Sequence, residues 1–157
     1  MSTQAGRIEA IYITPVSEQP MVALDSVNAI TGCGLEGDRY CIDEPGEKSF
    51  ENLTLIEQAA YDHLATIDLE LPANALRRNL LTSGIELNPL LGKEFTIGGV
   101  RCLGTELAEP CNYIQGRTLP GVLKAMVGRG GLRCQILEGG LISVGDRVEE
   151  ALGSPDA

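Results

Sequence analysis

One of the five cysteines differs from the others in its sequence surroundings. Cys111 ends the loop Ala108–Cys111, between an apolar strand pattern and the polar segment Asn112–Arg117. A loop cysteine close to backbone N–H groups and arginines has a lowered pKa. Its thiolate is both a nucleophile and a soft metal ligand. Cys111 is therefore the candidate catalytic residue and the candidate metal ligand of the chain.

The other four cysteines carry weaker signals. Cys102 and Cys134 lie inside strand patterns, where cysteine packs as a small hydrophobic residue. Cys33 and Cys41 flank the motif GLEGDR, so a redox or metal pair is an alternative for them, although a spacing of this kind is unspecific. The number is odd and no C-x-x-C motif occurs, so we expect neither a disulfide framework nor a structural zinc site. Reduced thiols and a cytoplasmic location are the expectation.

Arginines in loops are the second chemical signal. They lie next to glycines or directly before an apolar strand, where the planar guanidinium can bind phosphate or carboxylate. One hypothesis is an anion pocket formed by three loops that contain Arg39, Arg77, Arg78 and Arg129. In the alternative, nearby acids pair with these arginines and only hold the loops in place; the candidate acids are Glu36, Asp38, Glu86 and Glu138.

Composition excludes several other functions. With 12 basic and 22 acidic residues the formal charge is −10, which argues against nucleic acid and anionic membranes as partners. No apolar run approaches the roughly 18 residues of a membrane span, and the first residues lack a signal-peptide pattern. His63 is the only histidine and lies in a predicted helix. We therefore do not expect a catalytic triad elsewhere in the chain, since no second histidine could act as its base. The three lysines lie in no motif, so pyridoxal phosphate is not expected as a cofactor.

The elements that must position these residues are short strands. Glycine makes up 19 of 157 residues, which implies many tight turns. Seven or eight strands with about two short helices, Glu57–Thr66 and Leu119–Val127, predict a mainly β fold that is a closed or nearly closed β-barrel. We expect one domain over residues 1–157, with a core from about 8 to 148 and flexible ends at 1–6 and 153–157. Nine segments carry strand signals, and the seven or eight strands are expected among them: Ile8–Thr14, Met21–Ile30, Asn52–Ile56, Asn79–Thr82, Lys93–Ile97, Val100–Leu107, Gly131–Leu137, Leu141–Val144 and Arg147–Glu150.

Four motifs follow one another along the chain: GLEGDR at Gly34–Arg39, RRNLLTSGIELNPLLGKEFTIGG at Arg77–Gly99, EPC at Glu109–Cys111 and GRGGLRCQILEGGLISVGDRV at Gly128–Val148. In this order they resemble the MOSC domain, which is found in molybdenum cofactor sulfurases and amidoxime-reducing proteins. The resemblance extends from about Ile8 to Val148 and implies a β-barrel with few helices.

The resemblance also implies a binding site for the molybdenum cofactor, molybdopterin. Cys111 would be the thiolate ligand of molybdenum, as in the reductases, or a persulfide carrier, as proposed for the sulfurases. Tyr40 stands where the family motif has histidine, and tyrosine does not titrate near neutrality. The residues that we predict around the pterin and its phosphate are Asp38, Arg39, Arg77, Arg78, Asn79, Asn112 and Arg129.

Three functions follow as hypotheses. The first is a redox enzyme that reduces N-hydroxylated small molecules; because the chain lacks the N-terminal region and the ferredoxin domain of larger relatives, a separate protein would donate the electrons. The second is a sulfurtransferase that carries a persulfide on Cys111 and receives sulfur from a donor protein. The third is a non-catalytic module that binds the cofactor. A homodimer is an arrangement that could complete the pocket of so short a chain.

Overall fold

A computed structural model of the chain describes residues 5–14, 21–38, 53–67, 78–108 and 128–151. These residues form eleven strands, one α-helix and a 3-10 turn at Asn88–Leu90. The helix α1 is Gln58–Thr66. The strands are β1 (Ala5–Ile13), β2 (Val22–Leu24), β3 (Ser26–Ile30), β4 (Gly34–Leu35), β5 (Leu53–Glu57), β6 (Leu80–Ser83), β7 (Glu94–Ile97), β8 (Val100–Leu107), β9 (Leu132–Glu138), β10 (Gly140–Ser143) and β11 (Arg147–Glu150).

Seven of these strands close into a barrel. Their order around the ring is β1, β11, β7, β8, β9, β5 and β6, and β6 pairs again with β1. Strand β1 makes closure possible because it is long enough to have several partners. Its first residues pair with β11, as in Ala5 with Glu149, while its last residues pair with β2 on the outside of the ring. The expected closed β-barrel is confirmed, and closure leaves these strands without exposed edges.

One pair in the barrel, β5 and β6, is parallel. Parallel neighbours need a crossover connection, and α1 lies in it. The period of apolar residues predicts this helix correctly, and its buried face carries Ala60, Tyr61 and Leu64. Ile67, the next apolar residue after this face, is 47% exposed because the helix ends at Thr66 and Ile67 has left helical geometry. The second predicted helix, Leu119–Val127, lies outside the described residues.

A small second sheet, ordered β10, β3, β4, packs beside the barrel. The segment Met21–Ile30, expected as one strand, is divided by a bend at Asp25, so β2 joins the barrel sheet and β3 joins the small sheet. Strand β4 lies within the glycine-rich loop and was not predicted, because two residues are too short to show a period.

The barrel interior holds one apolar cluster. Aliphatic side chains from alternate strand positions fill it, as the period of two requires. Cys102 and Cys134 belong to this cluster and are fully buried, as expected from their strand patterns. Its other fully buried members include Ile11, Leu35, Leu53, Leu55, Leu80, Leu87, Phe95, Ile97, Val100, Leu132, Ile142 and Val148.

Candidate functional site

The chain segments at the end of β8 and the start of β9 are joined by Arg78. Its Nε donates a hydrogen bond to the carbonyl oxygen of Gly130 at 2.8 Å, and its Nη2 donates to the carbonyl oxygen of Ala108 at 3.1 Å. Ala108 follows the last residue of β8 and precedes Cys111 by three positions. Arg78 therefore holds the strand end that leads to Cys111 against the GRGG motif.

The GRGG motif, Gly128–Gly131, is held through its backbone. The carbonyl oxygen of Gly128 accepts from Asn88 Nδ2 at 3.0 Å, and that of Gly131 accepts from the Ala108 N–H at 2.8 Å. Gly131 has a φ of +107°, and a Cβ at this position would overlap the carbonyl oxygen of Leu55. Only glycine fits there, because β5 passes too close for any side chain. The motif is thus anchored on both sides of Arg129.

Arg129 lines a small cavity of about 80 Å³. The remaining walls come from Gly128 and Gly131, from Asn88, and from Glu57, Ala59 and Ala60 at the start of α1. Most other described arginines bind carboxylates: Arg7, Arg101, Arg133 and Arg147 each pair with a glutamate. Arg129 has no hydrogen bond or ion pair with any residue in the described part of the chain. Its positive charge is therefore available to a ligand.

The electrostatics of this cavity are mixed. Backbone N–H groups in the first turn of a helix carry partial positive charge, and Ala59 and Ala60 lie in that turn of α1. Glu57 brings a negative charge to the wall, although its Oε2 accepts a hydrogen bond from the Leu87 N–H at 3.0 Å. A volume of this size holds a phosphate-sized group, whereas sites for whole organic ligands measure several hundred Å³. The cavity can take the anionic end of a cofactor only.

Asn79 ties three strands together. Its Oδ1 accepts from the N–H and from the hydroxyl of Thr54, both at 3.1 Å, and its Nδ2 donates to the Tyr12 carbonyl oxygen at 3.0 Å. The side chain is buried, so these bonds satisfy polar groups that would otherwise be costly. Both ends of the amide are used within the protein, and Asn79 connects β1 with β5 at the start of β6.

Asp38, the acid of the GLEGDR motif, is also buried and bonded. Its Oδ1 accepts from the Thr14 N–H at 2.7 Å, directly after β1 ends. Thr14 lies two residues beyond Tyr12, which bonds to Asn79. The end of β1 therefore brings Asp38 close to the RRN motif, and Arg78 extends the connection to Gly130. These contacts link the four described members of the predicted set: Asp38, Arg78, Asn79 and Arg129.

The other four predicted site residues, Arg39, Arg77, Cys111 and Asn112, lie outside the described residues, and so do Tyr40 and Cys41. Two of the acids that the sequence offered as partners for these arginines bind other residues. Glu138 pairs with Arg101 at 3.1 Å, and Glu36 accepts from Asn28 Nδ2 at 2.9 Å. Sequence reasoning missed Asn88 and Glu57 as cavity residues, because Asn88-Pro89 only indicates a turn and Glu57 only begins a helix.

Two described thiols are chemically inert in the folded protein. Burial raises the pKa of Cys102 to about 12. Burial, and secondarily the neighbouring Cys102, raises the pKa of Cys134 well above its ordinary value. The reactive thiolate that the hypotheses require therefore does not come from the barrel interior.

The expectation of reduced thiols is wrong for Cys33, which is disulfide-bonded. An odd number of cysteines excludes complete pairing but not a single pair, and pairing depends on distances that only the fold creates. Disulfides are rare in cytosolic proteins, so this bond gives no support for a cytoplasmic location, which stays a prediction.

A second, larger cavity of about 380 Å³ adjoins the first. The two share Glu57 and Ala59, and the larger one adds the acidic residues Asp62 and Glu86. Its charge opposes an anionic ligand. Among the described residues, no three histidine, cysteine or acidic side chains converge as a metal site. No helix in this part of the chain is long and apolar enough to span a membrane.

The fold and its loops define a closed seven-stranded β-barrel domain with arginine-containing loops at the strand ends. The family model of the MOSC domain matches residues 48–149, and the chain belongs to this family. The resemblance to this family is thereby confirmed; the matched range contains three of the four motifs, and GLEGDR at Gly34–Arg39 precedes it. No curated protein matches the sequence.

Solved structures share the fold at low sequence identity. The YuaD protein from Bacillus subtilis superposes with a TM-score of 0.78 at 16% identity, covering 95% of this chain and 97% of that chain. YiiM from Geobacillus stearothermophilus gives 0.70 at 14% identity, covering 95% and 78%. YiiM from Escherichia coli gives 0.68 at 20% identity, covering 92% and 69%. Identities this low establish the common architecture alone.

Proposed function

We propose that the chain binds the molybdenum cofactor, with Cys111 as the thiolate ligand of molybdenum and Arg129 at the phosphate. The observation that carries this proposal is Arg129, which lines a phosphate-sized cavity and forms no hydrogen bond or ion pair with the described residues. Arg129 is exposed, so an anion from solution can reach its charge. Membership of the MOSC family supports the choice of ligand.

The described residues fit one end of this cofactor. Arg129 supplies charge and hydrogen-bond donors that match a phosphate. The backbone of Gly128–Gly131 leaves room for a close approach, since two of its glycines line the cavity. The soft ligand that molybdenum requires is assigned to Cys111 because it is the cysteine of the EPC motif; the described free thiols, Cys102 and Cys134, are buried.

We propose the reduction of N-hydroxylated compounds as the reaction. The N–O bond breaks as two electrons from an external electron-donor protein and two protons from solvent convert the N-hydroxyl group into an N–H group and one molecule of water. When bound, the cofactor would supply the redox centre with an open coordination position for the substrate oxygen. The described part of the chain contributes Arg129 and the bonded GRGG backbone, which Arg78 links to the end of β8.

Metal analysis tests the proposal. Protein purified from cells that make the cofactor should contain molybdenum, and the Cys111→Ser variant should contain none. Arg129→Gln should retain less than the native protein, whereas the matched variant Arg101→Gln, which removes an arginine paired with Glu94 and Glu138, should retain the native amount.

The sulfurtransferase hypothesis gives a different result in the same samples. Mass spectrometry would find an added sulfur atom on Cys111 and metal analysis would find no molybdenum. Retention of molybdenum by Cys111→Ser would contradict the assignment of the metal ligand.

A further inference from the structure

The cavity of Arg129 is lined by side chains of both charges that do not bind each other. Glu57 and Arg129 both line this cavity of about 80 Å³. These two described side chains form no ion pair, although most other described arginines pair with a glutamate. A ligand in the cavity can therefore contact the carboxylate and the guanidinium at the same time.

The Glu57 carboxylate is held on one side by the protein. Glu57 is the last residue of β5 and directly precedes α1, and its Oε2 accepts from the Leu87 N–H at 3.0 Å. The other oxygen, Oε1, accepts from no residue in the described part of the chain. An ionised carboxylate only accepts hydrogen bonds, and a guanidinium only donates them. The cavity thus offers donors at Arg129 and an acceptor at Glu57.

These opposite requirements distinguish between anions. An anion binds Arg129 through acceptor oxygens, but an unprotonated oxygen next to Glu57 meets a like charge. Inorganic phosphate retains a proton at neutral pH, so its hydroxyl can donate to the carboxylate while its other oxygens accept from the guanidinium. A phosphate monoester loses its second proton with a pKa of about 6, and an acceptor can hold that proton in place. Sulfate has the same tetrahedral shape but no proton at neutral pH.

We infer that Glu57 is a specificity-determining residue of the Arg129 cavity, which accepts a hydrogen bond from a protonated phosphate group and disfavours anions that carry no proton. This inference rests on the proposed function, since that function places a phosphate at Arg129. It narrows the ligand class to free phosphate or a terminal phosphate monoester, as opposed to sulfate or a phosphate diester. Arg129 provides the attraction, and Glu57 provides the discrimination.

A purely structural Glu57 would behave differently. Its hydrogen bond from the Leu87 N–H could serve only to connect the start of α1 with the segment after β6. Glu57→Gln keeps a side-chain oxygen that can accept this bond but removes the negative charge. A structural role therefore tolerates the change, whereas a role in anion discrimination does not.

The first experiment uses inorganic phosphate and sulfate as probes of isotope-labelled native protein. At slightly acidic pH, where exchange with water is slow, the Arg129 Nε–H signal in a nitrogen–proton correlation spectrum reports binding of each anion. Phosphate should bind at least about tenfold more tightly than sulfate, because bound sulfate leaves the Glu57 acceptor without a donor. Equal binding of the two anions would overturn the inference, and this measurement needs no variant.

The second experiment compares two variants that each remove one negative charge. Glu57→Gln should bring the dissociation constants of phosphate and sulfate to within about twofold of each other, mainly through tighter sulfate binding. The matched control is Asp62→Asn, because Asp62 lies on the same helix and lines the adjoining cavity but not that of Arg129. Asp62→Asn should keep the native preference, and an equal loss in both variants would assign the preference to overall charge.

The outcomes separate this inference from the proposed function. If neither anion shifts the Arg129 signal of native protein, the anion site of the proposed function fails, and the role of Glu57 fails with it. If phosphate and sulfate bind equally well at Arg129, the anion site stands and only the role of Glu57 is overturned. An unchanged preference for phosphate in Glu57→Gln also overturns that role, since another acceptor in the wall, such as Asn88 Oδ1, would then discriminate.

Discussion

The arginines at the two ends of the β8–β9 pair have different kinds of partner. At the end where β8 begins and β9 finishes, Arg101 forms ion pairs with Glu94 at 2.8 Å and with Glu138 at 3.1 Å. At the end where β8 finishes and β9 begins, Arg78 bonds to backbone carbonyl oxygens, and Arg129 has no partner in the described ranges. We call these the paired end and the open end.

The difference shows where this acidic chain has charge available for a ligand. The carboxylates at the paired end neutralise Arg101, and the hydrogen bonds that Arg101 donates to Glu94 and then to Glu138 raise its pKa. At the open end the Nε and Nη2 groups of Arg78 donate to backbone carbonyl oxygens, and Glu57, the acid in the wall of the Arg129 cavity, accepts from the Leu87 N–H. A ligand with negative charge would complete the open end, while the paired end needs none.

The largest expected effect concerns the backbone of the open end. Gly131→Ala should lower the free energy of unfolding by roughly 3 to 5 kcal/mol, because the new Cβ overlaps the Leu55 carbonyl oxygen and the φ is positive. The control is Gly128→Ala in the same motif, which also has a positive φ but no atom of the described residues within 4 Å of the added Cβ, and it should cost about 1 kcal/mol. Urea unfolding measures both. Equal losses in the two variants would mean that the approach of β5 does not restrict this motif.

The disulfide should support the paired end. The turn that contains Cys33 contacts the final part of β9, since the Gly32 N–H donates to the Ile136 carbonyl oxygen at 3.0 Å. Cys33→Ser should lower the free energy of unfolding by about 2 to 4 kcal/mol without reductant, because the cross-link restricts the unfolded chain. With a dithiol reductant, native protein and variant should unfold alike. A loss of the same size under reducing conditions would assign the effect to packing and not to the disulfide.

Cys102 lies in β8 between the two ends of the β8–β9 pair, and its burial should make the free energy of unfolding depend on alkaline pH. The Cys102 thiol keeps its proton up to about pH 12 in the folded protein, while the unfolded chain releases it near the ordinary value of 9.0. The stabilisation is therefore complete below pH 9 and is lost as the pH rises toward 12. The free energy of unfolding should fall by at most about 1.4 kcal/mol per pH unit for this thiol. Cys102→Ala should show a shallower decline, and an unchanged slope would contradict the effect.

Much of this architecture was predictable from sequence, and the reasons differ between its parts. Val100–Leu107 and Arg147–Glu150 were predicted with their observed bounds, because alternation and flanking turn residues mark them clearly. Barrel closure followed from strand number and glycine content. The division of Met21–Ile30 between two sheets did not, since the bend at Asp25 leaves the strand pattern intact.

The site was predictable only as a set of residues. Motif order placed Asp38, Arg78, Asn79 and Arg129 in one group, but sequence does not distinguish an arginine that bonds to carbonyl oxygens from one that faces a cavity. That distinction depends on where the Ala108 and Gly130 carbonyl oxygens lie, which is a property of the folded β8–β9 pair. The pairing of Cys33 likewise depends on the fold.

The smallest expected effect is at the paired end. Arg101→Gln removes both ion pairs, yet these groups are solvent-exposed, where a Coulomb gain is offset by side-chain entropy and screened by salt. Urea unfolding should therefore find no change in stability, and titration with inorganic phosphate should find the native response. Arg129→Gln should also keep native stability, because Arg129 has no partner among the described residues, but it should lose the phosphate response. If both variants behaved alike toward phosphate, the two ends would not differ in function, and the charge at the open end would be as incidental as that of any surface arginine.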